Sequence, residues 1–74
     1  MVMSDLAPGQ KASIMAIKGG RGFRQSLLLR GLIEGNIFRM VKSNPGPIVI
    51  EINGSTMAIG RGMANKIIVR SLGG

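Results

Sequence analysis

The chain has 74 residues, enough for one domain near the lower size limit for folding without a covalent or metal staple. It has neither Cys nor His, which excludes disulfides, thiolate zinc sites and imidazole chemistry, so the 45% hydrophobic residues must supply a packed core. Ten Lys and Arg oppose three acids, and the resulting +7 attracts acidic partners without choosing among nucleic acid, anionic lipid and protein.

The first residues, Met1 to Lys11, show no positive region followed by an apolar stretch, so no secretion signal is read there. Asp5 to Gln10 forms an opening turn punctuated by Pro8-Gly9. Lys11 to Lys18 then reads as a strand. Ala12, Ile14 and Ala16 alternate with Lys11 and Ser13, while a bulge near Met15 and Ala16 would bring both Ile14 and Ile17 inward. Gly19-Gly20-Arg21-Gly22 is a flexible connector into a helix over Phe23 to Leu32. The apolar stripe of that helix joins Phe23 to Leu27 and Leu28 to Leu32, with Arg24, Gln25 and Ser26 facing away. Gly31 stands where a left-handed cap would close it.

Gly35 opens a second strand, Asn36 to Ser43, with Phe38 and Met40 on one face and Ile37 and Arg39 on the other. Ser43 to Pro47 is a turn cluster. Ile48 to Ile52 and Ser55 to Ile59 are the third and fourth strands, joined by Asn53-Gly54, a strong two-residue hairpin signal. Such a turn sets Ile52 against Ser55, Ile50 against Met57 and Ile48 against Ile59. Gly60-Arg61-Gly62 ends that strand, Met63 to Asn65 forms one helical turn, Lys66 to Arg70 is the last strand, and Ser71 to Gly74 is expected to fray. Five short strands with one short helix after the first fit a mainly β fold, a small bent barrel of the SH3-like kind, filling residues 1–74 as a single domain. The longest apolar runs, such as Leu27 to Leu29, fall far short of the about 20 residues of a membrane span, so no membrane insertion is expected and a cytoplasmic location is.

The residues for chemistry are sparse. Asp5, Glu34 and Glu51 are the carboxylates, they lie in separate elements, and no His can act as base, so an enzyme is not expected. Six Met residues occur as singletons, and Met40 and Met57 read as core filler rather than soft-metal ligands, so no metal site and no cofactor are expected. No P-loop or dinucleotide fingerprint is present. The amides after Gly22, beside Arg21 and Arg24, form a candidate anion site, although a loop turning tightly into the helix explains the same glycines. Nucleic-acid binding has the charge in its favour. Against it, there is no Tyr or Trp for base stacking, and Phe23 and Phe38 take apolar-face positions. Ile37 and Val49 fall on the outer face of their strands, where adjacent apolar residues would suit a protein partner.

The order of motifs resembles the ferrous iron transport protein A (FeoA) family across nearly the whole chain. Leu6-Ala7-Pro8-Gly9 is similar to that family's opening turn, Gly19-Gly20-Arg21-Gly22-Phe23-Arg24-Gln25 with Leu27 to its loop and helix start, and Gly31-Leu32-Ile33-Glu34-Gly35 to the signature closing the helix. Gly46-Pro47-Ile48-Val49 and Met57-Ala58-Ile59-Gly60 resemble its central hairpin. The chain departs from the pattern at Ser26, where a basic residue is usual, at Arg30, where an apolar one is, and in a shorter Ser43 to Pro47 loop. The resemblance implies a stand-alone SH3-like barrel that assists the membrane ferrous iron transporter FeoB through contact with its cytosolic GTP-binding domain, without a robust metal site of its own. A similar barrel closes the diphtheria-toxin-repressor type of metalloregulator, and the absence of a preceding DNA-binding domain argues for the transporter accessory.

The expected contact face is Arg21, Arg24 and Arg30, with Arg61 as an outlying member. Arg21 leads into the helix, Arg24 lies off its apolar stripe, Arg30 replaces an apolar residue, and Arg61 between two glycines is free to project. Arginine suits bidentate pairing with carboxylates or phosphates. Two rival functions remain: a small nucleic-acid-binding barrel, and an anion or nucleotide sensor using the amides after Gly22.

Overall fold

The computed structural model describes residues 1–73. Its elements are a 3-10 turn at Met3–Asp5, β1 (Lys11–Ile17), α1 (Arg21–Leu29), β2 (Ile37–Lys42), β3 (Ile48–Ile52), β4 (Ser55–Ile59), the short α2 (Arg61–Ala64) and β5 (Ile67–Gly73). The strands form one antiparallel sheet in the order β4-β3-β2-β1-β5. The fold is mainly β, with five bent strands and a short helix after the first, as the sequence leads one to expect.

The β3–β4 hairpin is where turn chemistry and alternation reinforce each other. Asn53 and Gly54 both hold positive φ, 53° and 77°, which is the two-residue turn whose twist matches that of the flanking strands. The register is the expected one, with Ile52 opposite Ser55, Ile50 opposite Met57 and Ile48 opposite Ile59. Ile48, Ile50, Ile52 and Ile59 are buried and Met57 packs partly buried against them. On the other face Arg39 of β2 reaches Glu51 at 3.1 Å, a half-exposed cross-strand ion pair that contributes little stability.

The bulge expected in β1 is present. The register to β5 slips between Ile14 and Ala16, Met15 is put out toward solvent, and Ile14 and Ile17 both turn inward. Two further slips, between Lys11 and Ala12 in the pairing of β1 with β5 and between Met40 and Lys42 of β2, were not legible in the sequence; the latter leaves both Val41 and Lys42 exposed. The core joins these strands to Leu27, Leu32, Phe38 and Met40, with Phe23 and Met63 packed at its edge.

Two expectations change, and the N-terminus adds a feature the sequence did not suggest. The last strand runs on through Ser71 and Gly73, because Ser71 pairs with Ala12 and Gly73 with Lys11 of β1, so residues 71–73 do not fray; Gly74 lies outside the described residues. The extreme N-terminus, for which the sequence offered no structural reading, is built into the fold. Val2 bridges Ile68, the Val69 N–H donates to the Met1 carbonyl, and Met3 is fully buried. The helical turn after β4 begins at Arg61 rather than Met63, so the chain from Gly60 coils at once.

Candidate functional site at the α1 groove

Helix α1 is positioned at both ends by glycines with left-handed backbone. At its start, Gly19 has φ +129°, and a Cβ there would lie 2.7 Å from Cδ2 of Phe23. That close approach seats the Phe23 ring at the edge of the core, where the Lys66 ammonium lies 5.1 Å from its centroid. At its end, Gly31 has φ +87° and reverses the chain. Its N–H donates to the Leu28 carbonyl at 3.0 Å and the Leu32 N–H to the Leu27 carbonyl at 2.9 Å, the paired bonds of a Schellman cap.

This cap corrects the helix expected from the sequence. The helix stops at Leu29, and Leu32 enters the core from beyond the reversal rather than from a further helical turn. Leu27 is therefore the buried residue of the helix, while Leu28 is 55% and Leu29 82% exposed. Arg21 and Gly22 belong to the first helical turn and not to the loop before it.

Beyond the cap, the Gly35 N–H donates to the Ile14 carbonyl at 2.7 Å and the Ile14 N–H to the Asn36 carbonyl at 2.9 Å, tying the return segment to β1. Ile33 and Glu34 are thereby held opposite the helix. Between the two lies a groove of ≈ 560 Å³ lined by Ile17, Leu28, Leu32 and Ile33, with Arg21, Arg24 and Glu34 among its polar residues. Arg21 and Arg24 are exposed. The arrangement is an apolar trough with two guanidinium groups on one side, suited to a partner segment that offers apolar side chains and a carboxylate together.

The other two arginines stand elsewhere. Arg30 donates to the Ala58 carbonyl at 3.0 Å and so ties the end of α1 to β4. Arg61 does not project freely. It is half-buried and donates to the Ser43 carbonyl and the Asn44 side-chain oxygen, bracing the β2–β3 loop. Its sequence neighbours gave no sign of this, because both acceptors come from a loop that only the fold brings near. The exposed leucines of α1 were missed for a different reason. Leu27, Leu28 and Leu29 are consecutive and cannot all face inward, but which one does depends on where the helix ends.

A family model described as the FeoA domain matches residues 1–71. The chain belongs to the FeoA family. It is 36% identical over 61 residues to "Putative Fe(2+) transport protein A" of Methanocaldococcus jannaschii, covering 82% of this chain and 74% of that protein. The crystal structure of an iron uptake regulatory protein (FeoA) is 38% identical, covers 97% of both chains and superposes with a TM-score of 0.91. A FeoA of Stenotrophomonas maltophilia complexed with zinc, described as a prokaryotic SH3 domain protein, is 20% identical with a TM-score of 0.80 over 95% of this chain and 89% of that one. At that identity it speaks to the fold alone, which is the SH3-like barrel.

The zinc in that relative prompts a test of the donors in this FeoA-family chain. With His and Cys both absent, the first-choice ligands for a tight transition-metal site do not exist here. Asp5 accepts from the Val2 N–H at 3.0 Å, Glu51 pairs with Arg39, and among the described residues no three carboxylates converge. The residues do not fit a resident transition metal. No helix among the described residues is long and apolar enough to cross a membrane.

Proposed function

We propose that this chain is a non-enzymatic accessory of ferrous iron uptake, working in the cytoplasm by contact with the cytosolic GTP-binding domain of the transporter FeoB. The observation that carries the reading is the FeoA family match over residues 1–71. The α1 groove supports a binding role: it joins apolar side chains, the exposed Leu28 and Ile33 among them, to Arg21 and Arg24. Arg21 and Arg24 are the core of the contact in this reading. Arg30 and Arg61 contribute by holding α1 and the β2–β3 loop in place as well as by any contact of their own.

The test is a pull-down of the soluble domain of FeoB by the purified chain, with RNA and GTP binding measured in parallel. The reading expects the transporter domain to be retained and neither RNA nor GTP to bind. RNA or GTP binding without retention of the transporter domain would replace it with one of the two rival functions. The nucleic-acid rival has little to stack bases on, since Phe38 is buried and Phe23 lies under Lys66.

A further inference from the structure

The outer face of β5, β1 and β2 carries a second exposed apolar cluster. The register fixes its membership. Ser13 pairs with Ile37 of β2 on one side and with Arg70 of β5 on the other, and residues opposed in adjacent strands share a face. Alternation adds Lys11 on β1, the β1 bulge adds Met15, and a further register slip opposite Lys11 and Ala12 adds Leu72, which stands between Ser71 and Gly73. Ile37, Met15 and Leu72 are 58%, 49% and 45% exposed. With Ser13, Arg70 and Glu34 they line one depression of ≈ 400 Å³. Large apolar side chains gathered in this way mark a surface that something covers.

Charge and side-chain type select the occupant. Of the ten Lys and Arg residues, Arg39 alone is paired with a carboxylate among the described residues, so Lys11 and Arg70 present free positive charge at this face. Glu34 at the rim is the one acid lining the depression and is outnumbered. A second copy of the chain would bring +7 against +7 and these same cations against each other. A protein partner would be anchored by aromatic side chains in a well-packed pocket, whereas this face has no aromatic exposed. A bilayer needs no such anchor. Flexible Met and Leu side chains enter the boundary between headgroups and acyl chains, while Lys and Arg meet anionic headgroups.

We propose that the outer face of β5, β1 and β2 is a docking surface for an anionic lipid bilayer, with Met15, Ile37 and Leu72 entering the interface and Lys11 and Arg70 against the phosphate headgroups. Met15, Ile37 and Leu72 do not line the α1 groove, so the test of this surface stands apart from that of transporter binding.

The experiment is flotation of the full chain with vesicles of equal parts phosphatidylglycerol and phosphatidylcholine, and with vesicles of phosphatidylcholine alone. The chain floats with the anionic vesicles, and raising the salt releases it. Met15→Ser combined with Leu72→Ser leaves the net charge unchanged and reduces flotation roughly fivefold or more, since the apolar insertion is lost. Leu28→Ser with Leu29→Ser removes equivalent apolar side chains from α1 and leaves flotation as in the native chain. A Leu72→Trp variant gives a readout that needs no loss of function: its emission moves to the blue with anionic vesicles. No flotation of the native chain, or equal flotation of the two serine pairs, or an unshifted Leu72→Trp emission overturns the proposal. Capture of the transporter domain that is abolished by Met15→Ser with Leu72→Ser would instead make this face a protein surface and also overturn it. Failure of flotation alone leaves the transporter reading standing.

Discussion

The β3–β4 hairpin and helix α1 use apolar residues in opposite ways. In the hairpin, Ile48, Ile50, Ile52 and Ile59 are each no more than 3% exposed, and the opposite faces carry Glu51 and Thr56. In α1, three leucines stand in a row and one is buried, while Leu29 is 82% exposed. Hydrophobicity in the hairpin is spent on folding. Hydrophobicity in the helix is mostly left on the surface, beside a groove with two arginines, where it is available to a partner. An apolar residue count alone does not separate these two uses; the burial pattern within each element does.

The contrast breaks first, if it breaks at all, in the core. Ile50→Ala should destabilise the domain by about 2–5 kcal/mol through lost burial and the cavity left behind. That is a large share of the stability of so small a domain. Leu27→Ala should cost a similar amount, about 2–5 kcal/mol, because Leu27 is the buried residue of α1. A shift in the denaturant midpoint measures both, and an unchanged midpoint for Leu27→Ala would mean that the helix is held from another face.

Gly19→Ala sharpens the comparison at the helix start. Its φ of +129° and the 2.7 Å approach of a Cβ to Phe23 predict a loss of about 1–3 kcal/mol. Calorimetric melting would detect it, and a neutral result would show that Phe23 and the loop yield together. Leu29→Ser, at the other extreme, should change stability by no more than about 0.5 kcal/mol, since an exposed side chain loses little by the change. A core-sized loss there would place Leu29 in packing that the exposure contradicts.

Most of the barrel was legible in the sequence, for local reasons. Asn53-Gly54 demands positive φ at two successive residues, and the flanking alternation then permits one register. The β1 bulge could be read because Ile14 and Ile17 cannot both face inward along a regular strand. The features that escaped depend on distant partners. Burial of Met3 rests on Val2 meeting Ile68 and on the Ser4 hydroxyl bonding the Asn65 side chain, across some sixty positions that no periodicity spans. The end of β5 is ordered by the first residues of β1. The candidate site was half legible: Arg21 and Arg24 were named as contact residues and they line the groove, but its apolar lining was assigned inward because the stopping point of α1 was placed three residues too late. The bonds of Arg61 to Ser43 and Asn44 could not be read at all, since a residue between two glycines has no local partner to betray it.

The most direct test of the account is the affinity of the soluble FeoB domain for the native chain and for the Arg21→Glu, Arg24→Glu variant, measured at two salt concentrations. Both arginines are exposed and neither is paired with a carboxylate among the described residues, so the variant should melt as the native chain does. Binding by the native chain should weaken as salt rises, and binding by the variant should be lost or much reduced, with ferrous iron uptake falling alongside. A folded variant that binds the transporter domain and restores uptake as well as the native chain would contradict the account and leave the two arginines as solvated charge.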